Sequence, residues 1–232
     1  MLNPVQRTPR EAGTSTPYRP LEELKRDSIA VSILLLWFAA AIAILPHLPE
    51  QVPIHWNAAG EVDGYGSALF GTLGLPGISA VLNLFLIVIP ALDPGKASFA
   101  QFKTTYRAMR IGLIVFMLIV WIPGMTAPLG YELPMTMIIS AAICLGLIGI
   151  GFAMPKFQHN YIAGIRTPWT LADKNIWNRT HRISGPIWAG AGVMALPLTF
   201  IFPSAAIWIT TGATMAAATA SVVYSYAIRP KD

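Results

Sequence analysis

Five long stretches without a charged residue dominate this chain of 232 residues. They cover residues 29–45, 69–92, 111–131, 133–155 and 183–228. A helix needs about 20 apolar residues to cross the hydrocarbon core of a membrane. The first four stretches therefore predict one span each, and the last stretch predicts two spans that separate at Phe202-Pro203-Ser204. The expected fold is an all-α polytopic membrane protein with six transmembrane helices.

The composition agrees with lipid as the solvent of most of the chain. Hydrophobic residues make up 54% and charged residues 12% of the sequence, whereas soluble domains contain about 25% charged residues. Intrinsic disorder over most of the length is excluded, because disorder needs low hydrophobicity. The single cysteine, Cys144, excludes a disulfide framework and a Cys-based zinc site. We expect neither a metal nor another cofactor.

The basic residues lie on only one side of the predicted spans. All 16 Lys and Arg fall in the N-terminal segment, after the second span, after the fourth span or in the C-terminal segment. The other loops contain four acidic and no basic residues. Basic loops stay in the cytoplasm, so both termini are predicted to be cytoplasmic. The net charge of +5 is the sum of a strongly basic inner face and an acidic outer face, and it does not indicate nucleic-acid binding.

Three segments follow from this pattern. Residues 1–27 are polar, contain four prolines and are predicted to be a cytoplasmic tail that becomes helical near residues 21–27. Residues 28–95 are a two-span module with an outer loop, and residues 96–232 are a four-span module with a long inner loop. The basic positions between 96 and 110 are assigned to the loop after the second span. Because no ionisable residue lies in the middle of a predicted span, an ion-coupled transporter is disfavoured.

The outer loop of the first module carries a cluster of polar residues. Pro53 disfavours a helix, so residues 53–57 are predicted to be extended, with His55 and Asn57 on one side. His55, Glu61 and Asp63 are candidates for binding a divalent cation or for acid/base chemistry. These residue types in a Gly-rich loop more often bond the loop's own backbone or contact a ligand. A structural or recognition role is therefore favoured.

The inner loop between the fourth and fifth spans has turn and helix signals. Thr170 and Asp173 predict a capping box, followed by a short helix over residues 171–183 that ends at a break near Gly185-Pro186. Small residues at four-residue spacing predict close approach of helices. They are Gly185 and Ala189 in the fifth span, and Gly212, Ala216 and Ala220 in the sixth.

Basic side chains give the same inner loop a possible binding role. Arg166, Arg179 and Arg182 form a cationic group that suits a phosphate, a carboxylate or a lipid headgroup. Arg and Trp at a membrane boundary are also common snorkelling anchors in contact with membrane lipids. Both alternatives remain open on the residues alone.

The two loops resemble two known families. From Leu48 to Ser67 the chain follows the pattern Pro-x-His-x-Asn and then Gly-x-x-Asp, which resembles a widespread bacterial membrane domain of unknown function. From Asn160 to Gly185 it contains Gly-Ile-Arg-Thr-Pro-Trp-Thr and Trp-x-x-Thr-His-Arg, and this region resembles the SdpI family. The namesake of that family is an immunity protein against a sporulation-delaying toxin. The two modules in this order are the family's arrangement, and they cover about residues 34–205.

The resemblance implies recognition residues at the positions that match the two motifs. In the outer loop these are His55, Asn57, Gly60 and Asp63. In the inner loop they are Asn160, Gly164, Arg166, Thr167, Pro168, Trp169, Thr170, Trp177, Thr180, His181 and Arg182. The resemblance implies no catalytic residue, and the chain is not expected to be an enzyme.

The function that the resemblance implies is immunity. The protein would lie in the bacterial plasma membrane and give resistance to a secreted toxic peptide that it meets on its outer face. In the namesake, the resemblance also implies signalling, in which a cytoplasmic transcriptional repressor is held at the membrane. Two other functions stay open: a membrane-embedded lipid-handling enzyme or lipid-binding protein that uses the inner Arg and His residues, and a small transporter.

Overall fold

Six long helices form the bundle in the computed structural model, which describes residues 18–230. Each is long and apolar enough to cross a membrane. They are α2 (Ser28–Ile44), α3 (Ala68–Val88), α4 (Lys96–Thr126), α5 (Met135–Ala153), α7 (Lys174–Ile201) and α8 (Ala206–Ala227). Two short helices, α1 (Pro20–Lys25) and α6 (Pro168–Ala172), precede the first and the fifth span. The predicted six spans are confirmed, and residues 1–17 of the predicted tail lie outside the described residues.

A β-hairpin joins α2 to α3. Strand β1 (Gln51–Trp56) pairs with β2 (Val62–Ser67) in antiparallel register, so the extended stretch predicted from Pro53 is correct. The hairpin packs on the bundle because Val52 is fully buried and the Trp56 ring lies against Gly124 of α4. A β-carbon at Gly124 would lie 3.2 Å from that ring.

The two ends of the bundle carry different connections. Successive spans alternate in direction, which places the hairpin and the α4–α5 connection at one end, here called the hairpin end. The Gly60 backbone of the hairpin accordingly lies against Thr136 at the start of α5. The other end, called the tail end, holds α1, the α3–α4 turn and the loop between α5 and α7. There the Tyr161 N–H donates to the Asp93 carboxylate over 2.9 Å.

The assignment of the basic positions 96–110 to a loop is wrong. The connection after α3 is only a short turn through Asp93 and Gly95, and these basic residues form the first half of α4. A helix is not limited to its hydrocarbon-crossing part, because Lys and Arg can extend it into the interfacial region. Phe99, Phe102 and Tyr106 bury their rings on one side of this half, and Phe102 has a non-helical backbone (φ −125°, ψ 20°) that marks a kink.

The predicted start and break of the fifth span are also wrong. The capping box consists of Thr167 and Thr170 at the start of α6, whereas the Asp173 side chain caps α7 by accepting from the backbone N–H groups of Asn175 and Ile176. Helix α7 then runs without interruption through Gly185 and Pro186. A proline removes one hydrogen bond from a helix, and the tight packing of α7 on α5 holds the helix together across that position.

Helices α5 and α7 cross with their backbones in contact. A β-carbon at Gly151 would lie 2.5 Å from the Ala189 nitrogen and 2.7 Å from the Gly185 carbonyl oxygen. One at Gly192 would lie 2.5 Å from the Cys144 carbonyl oxygen. The close approach predicted for Gly185 and Ala189 is therefore confirmed. The prediction for the stripe of α8 is wrong at Gly212, where no described atom lies within 4 Å of an added β-carbon.

Candidate functional site

The hairpin turn brings together the three polar residues of the outer motif, His55, Asn57 and Asp63, and the neighbouring Glu61. The His55 Nδ1–H donates to Asp63 Oδ1 over 2.5 Å, and both side chains are exposed. The Asn57 oxygen accepts from the backbone N–H groups of Ala59 and Glu61, and the Asn57 amide donates to the Glu61 carboxylate. Asn57 therefore shapes the turn, whereas the His55–Asp63 pair is presented to the surroundings.

Gly60 is required by the backbone of this turn. Its φ of +85° lies in the left-handed region, which favours glycine. A β-carbon there would also lie 2.5 Å from Thr136 Oγ1. Among residues 18–230, no group of three His, Cys, Asp or Glu side chains is arranged to hold a metal ion.

Asn160 organises the first part of the tail-end loop (residues 157–173). Its amide donates to the carbonyls of Gln158 and Ala163, and its oxygen accepts from the N–H groups of Ile162 and Ala163. These four bonds use the whole capacity of the buried amide. Asn160 holds the loop in shape and leaves no polar atom for a ligand.

His181 of α7 has a similar internal role. Its Nε2 accepts from the Ile165 N–H at 2.9 Å, and its Nδ1–H donates to the Trp177 carbonyl at 2.8 Å. The ring stacks on Trp177 with centroids 4.1 Å apart. Gly164 passes directly over both rings with a φ of +124°, so a side chain at that position would collide with them.

The remaining loop residues dock on α8. The Trp169 Nε1–H donates to Ser225 Oγ over 2.9 Å, and its ring meets the Tyr226 ring edge-on. The Arg229 guanidinium in turn stacks 3.3 Å above the Tyr226 centroid, a cation–π arrangement. This arrangement holds the end of α8 against the loop.

Burial separates the predicted inner recognition side chains into buried, half-buried and exposed ones. Asn160, Thr170, Trp177, Thr180 and His181 are buried and form the loop's own framework. Thr167 and Trp169 are half-buried, and the side chains of Arg166, Pro168 and Arg182 are exposed. Arg179, which precedes Arg182 by three residues on α7, is exposed as well. Arg166 donates one hydrogen bond, from Nη1 to the Tyr161 carbonyl at 2.8 Å.

Sequence reasoning missed a buried charged network at the tail end of α2, α3 and α4. The Arg110 guanidinium of α4 donates to both carboxylate oxygens of Asp27, at 2.9 and 3.2 Å. It also donates to the Asn83 oxygen of α3, and the Asn83 amide donates back to Asp27 at 3.1 Å. Asp27 and Arg110 are 1% and 2% exposed, so the network ties three helices together away from water.

A second ion pair fastens α1 to the same place. The Arg107 Nη2–H donates to the buried Glu23 carboxylate over 2.7 Å. Burial raises the pKa of Tyr18 to about 12, so its phenol stays protonated and donates to the Ile87 carbonyl. The sequence held one signal of this arrangement: Asp27 and Arg110 are opposite charges that directly precede two uncharged stretches, while Asn83 is a polar residue inside a third.

These features define a class of protein. It is a multi-pass membrane protein with a polar β-hairpin at one end and, at the other end, a loop of buried aromatic rings that presents exposed arginines. The helix pattern and the two motif-bearing regions are the features by which it can be compared with known proteins.

The comparisons agree with the two resemblances. The SdpI/YfhL protein family model matches residues 156–225, and the model of a domain of unknown function (DUF1648) matches residues 32–80. The chain is 24% identical over 205 residues to the immunity protein SdpI of Bacillus subtilis (strain 168), covering 88% of this chain and 95% of the relative. No solved structure matches the chain significantly. The resemblance to the SdpI family is confirmed, and the chain is a multi-pass protein of the bacterial plasma membrane.

Proposed function

We propose that this protein gives bacteria immunity to a secreted toxic peptide. The observation that carries the proposal is the similarity to an immunity protein over nearly the whole of both chains. The similarity extends over 88% of this chain and 95% of the relative, and the two family models match residues 32–80, which include the hairpin, and residues 156–225, which include the tail-end loop. The hairpin and the exposed arginines are the two surfaces through which the function would be exerted.

The hairpin is the surface that we assign to the peptide. His55 and Asp63 form an exposed polar pair on a hairpin whose inner residues, such as Val52, are fixed in the bundle. A rigid support of this kind reduces the ordering entropy that binding would otherwise cost. Asn57 and Gly60 contribute by holding the turn in shape rather than by touching the peptide.

The tail-end loop is the surface that we assign to a partner in the cytoplasm. A transcriptional repressor is one candidate for this partner. Arg166, Arg179 and Arg182 are exposed, and guanidinium groups bind carboxylates and phosphates with planar, paired hydrogen bonds. The buried framework around Trp177 and His181 would fix the direction of Arg166. The same cations would contact anionic lipid headgroups at the membrane surface.

Catalysis by the tail-end loop has less support than recognition. His181 is the residue that a lipid-handling enzyme would use as an acid or base. Both of its ring nitrogens are engaged in internal hydrogen bonds, and its side chain is 1% exposed. A general base must reach the proton that it abstracts, and His181 has no free nitrogen for that purpose.

Both functional assignments require the hairpin end to face outward and both termini to be cytoplasmic. Ala59 in the hairpin and Ala172 in the tail-end loop are exposed, whereas Cys144 is buried. In intact cells, a membrane-impermeant maleimide is expected to label the Ala59→Cys variant and not the Ala172→Cys variant. Cys144→Ala is the background for both variants, and lysed cells provide the control for reactivity. Labelling of position 172 from outside would show that the protein has the opposite orientation in the membrane.

Complementation tests the proposed immunity and the role of Arg166 together. The chain is expressed in Bacillus subtilis cells that lack SdpI, and the cells are exposed to the sporulation-delaying toxin. We expect the wild-type chain to restore survival, Arg166→Ala to reduce survival about tenfold, and Arg166→Lys to be nearly as poor, because an ammonium group cannot reproduce a planar guanidinium contact. Arg26→Lys, which changes an exposed arginine outside the proposed partner surface, is the matched control and is expected to keep wild-type survival.

Two outcomes would contradict these assignments. If the wild-type chain reaches the membrane at the level of SdpI and gives no increase in survival, the proposed immunity is wrong for this toxin. If Arg166→Lys is as active as the wild type, Arg166 is only an anchor at the membrane surface, since a lysine snorkels equally well.

A further inference from the structure

The α3–α4 turn contains a buried carboxylate that the preceding roles do not use. Asp93 is 3% exposed, and it forms no ion pair among the described residues. Its Oδ1 accepts from the Gly95 N–H within its own turn, and its Oδ2 accepts from the Tyr161 N–H of the tail-end loop at 2.9 Å. A buried carboxylate must be compensated, and here backbone N–H groups from two different connections provide the compensation.

The turn and the loop are also packed tightly against each other. A β-carbon at Gly95 would lie 3.2 Å from the His159 carbonyl oxygen and 3.3 Å from the Asn160 α-carbon. The Tyr161 backbone is therefore held at both of its polar groups. Its N–H donates to Asp93 of the first module, and its carbonyl accepts from Arg166 of the tail-end loop.

We propose that Asp93 is a positioning residue that fixes Arg166 through the Tyr161 backbone. This inference rests on the proposed recognition role of the tail-end loop, and it identifies how the first module contributes to that role. Helix α3 runs from the hairpin to the Asp93 turn. A displacement of α3 would therefore move the Tyr161 backbone, and the direction of the Arg166 guanidinium would change with it. The loop is thus aimed by the module that carries the hairpin.

A second contact surface supports the same connection. Phe99 and Phe102 lie near the start of α4, shortly after Asp93 in the chain. Their rings pack with Phe157 and Trp177 in a single buried cluster. Trp177 donates from Nε1 to the Phe157 carbonyl. The Asp93 carboxylate and the aromatic rings at the start of α4 both contact the tail-end loop. Together they leave the Tyr161 backbone little freedom to move.

Hydrogen exchange of the full chain in detergent micelles tests the positioning directly. In the Asp93→Ala variant, exchange at Tyr161 and in the peptide covering residues 160–166 is expected to be about tenfold faster, because a hydrogen bond to a charged acceptor is lost. Asp93→Asn keeps one acceptor oxygen and is expected to fall in between. The hairpin peptide, residues 51–67, is expected to exchange at the wild-type rate.

Asp173→Ala is the matched control, since Asp173 also accepts from backbone N–H groups but only within its own module. It is expected to speed exchange at Asn175 and Ile176 and to leave Tyr161 unchanged. Unchanged exchange at Tyr161 in Asp93→Ala would overturn the inference. Faster exchange over the whole chain, including the hairpin, would also overturn it, because the loss would then be general unfolding.

Survival in the complementation assay separates this inference from the proposed function. If Asp93 acts through Arg166, Asp93→Ala lowers survival about as much as Arg166→Ala, and the double variant is no worse than either. A double variant that is about tenfold worse than each single variant would show independent action and overturn the inference. If exchange changes as expected but none of these variants affects survival, the positioning by Asp93 stands and the recognition role of the loop is wrong.

Discussion

Replacement of Arg110 by alanine is expected to destabilise the protein by about 3–5 kcal/mol, the usual cost of leaving one charge of a buried ion pair without its partner. Asp27 and Asn83 would remain buried between three helices with no cation to neutralise the carboxylate. The measurement is the free energy of unfolding in mixed micelles, followed by the fluorescence of tryptophans such as Trp37 of α2 and Trp121 of α4, which meet edge-on.

Two further variants separate charge from packing. The double variant Asp27→Leu/Arg110→Met is expected to recover most of the stability, because a buried ion pair can often be replaced by apolar side chains at little cost. Arg182→Ala, which removes an exposed arginine, is expected to stay within about 0.5 kcal/mol of the wild type. If Arg110→Ala matched Arg182→Ala, the buried network would contribute little to stability.

The largest effect on the second module is expected from Gly151→Leu. The first atom of the new side chain would meet the Ala189 nitrogen at 2.5 Å, so α5 and α7 would have to separate along their contact. Overpacking of a well-packed core costs about 1–3 kcal/mol and occasionally more, and here the obstacle is backbone, which has no alternative rotamer. We expect a loss of about 3 kcal/mol or more, seen as a lower thermal midpoint and a lower yield in the membrane.

Gly149→Leu is the matched control for this prediction. It makes the same substitution two residues away on α5, at a position where no described atom lies within 4 Å of an added β-carbon. The control is expected to be neutral or slightly stabilising, because leucine is a better helix former than glycine. Equal losses in both variants would mean that the α5–α7 contact is not tight at Gly151.

The spans and the extended stretch at Pro53 were predictable because each depends on a local signal, whereas the pairing of that stretch with a second strand was not predicted. Uncharged stretches of sufficient length can form only spanning helices in lipid, and Pro53 in a polar loop excludes a helix there. Helix ends were less predictable. The basic residues before Arg110 were read as a loop, since charge alone does not distinguish an interfacial helix from a connection. Pro186 predicts a break in the fifth span, but the packing of this helix on α5, which the sequence does not reveal, keeps it continuous.

The motifs do not indicate which of their residues are buried in the loop and which are exposed. The resemblance marks His181, Asn160 and Arg166 alike, because a framework residue and a contact residue can be equally specific to a family. Only the positions of their neighbours separate them: Asn160 and His181 use all their polar atoms inside the loop, whereas Arg166 is exposed. The Asp27–Arg110 pair was missed because its members are 83 positions apart in the chain.

The crossing of α5 and α7 bears on how such proteins can be divided. The matched region of the SdpI/YfhL model begins at residue 156, yet the glycines of α7 are packed on α5, which ends at Ala153. A fragment that starts at residue 156 would lack α5 and would expose the small-residue side of α7 to lipid. Excision, domain exchange and chimaera building in this protein should therefore keep α5 together with α7 rather than cut at the edge of the matched region.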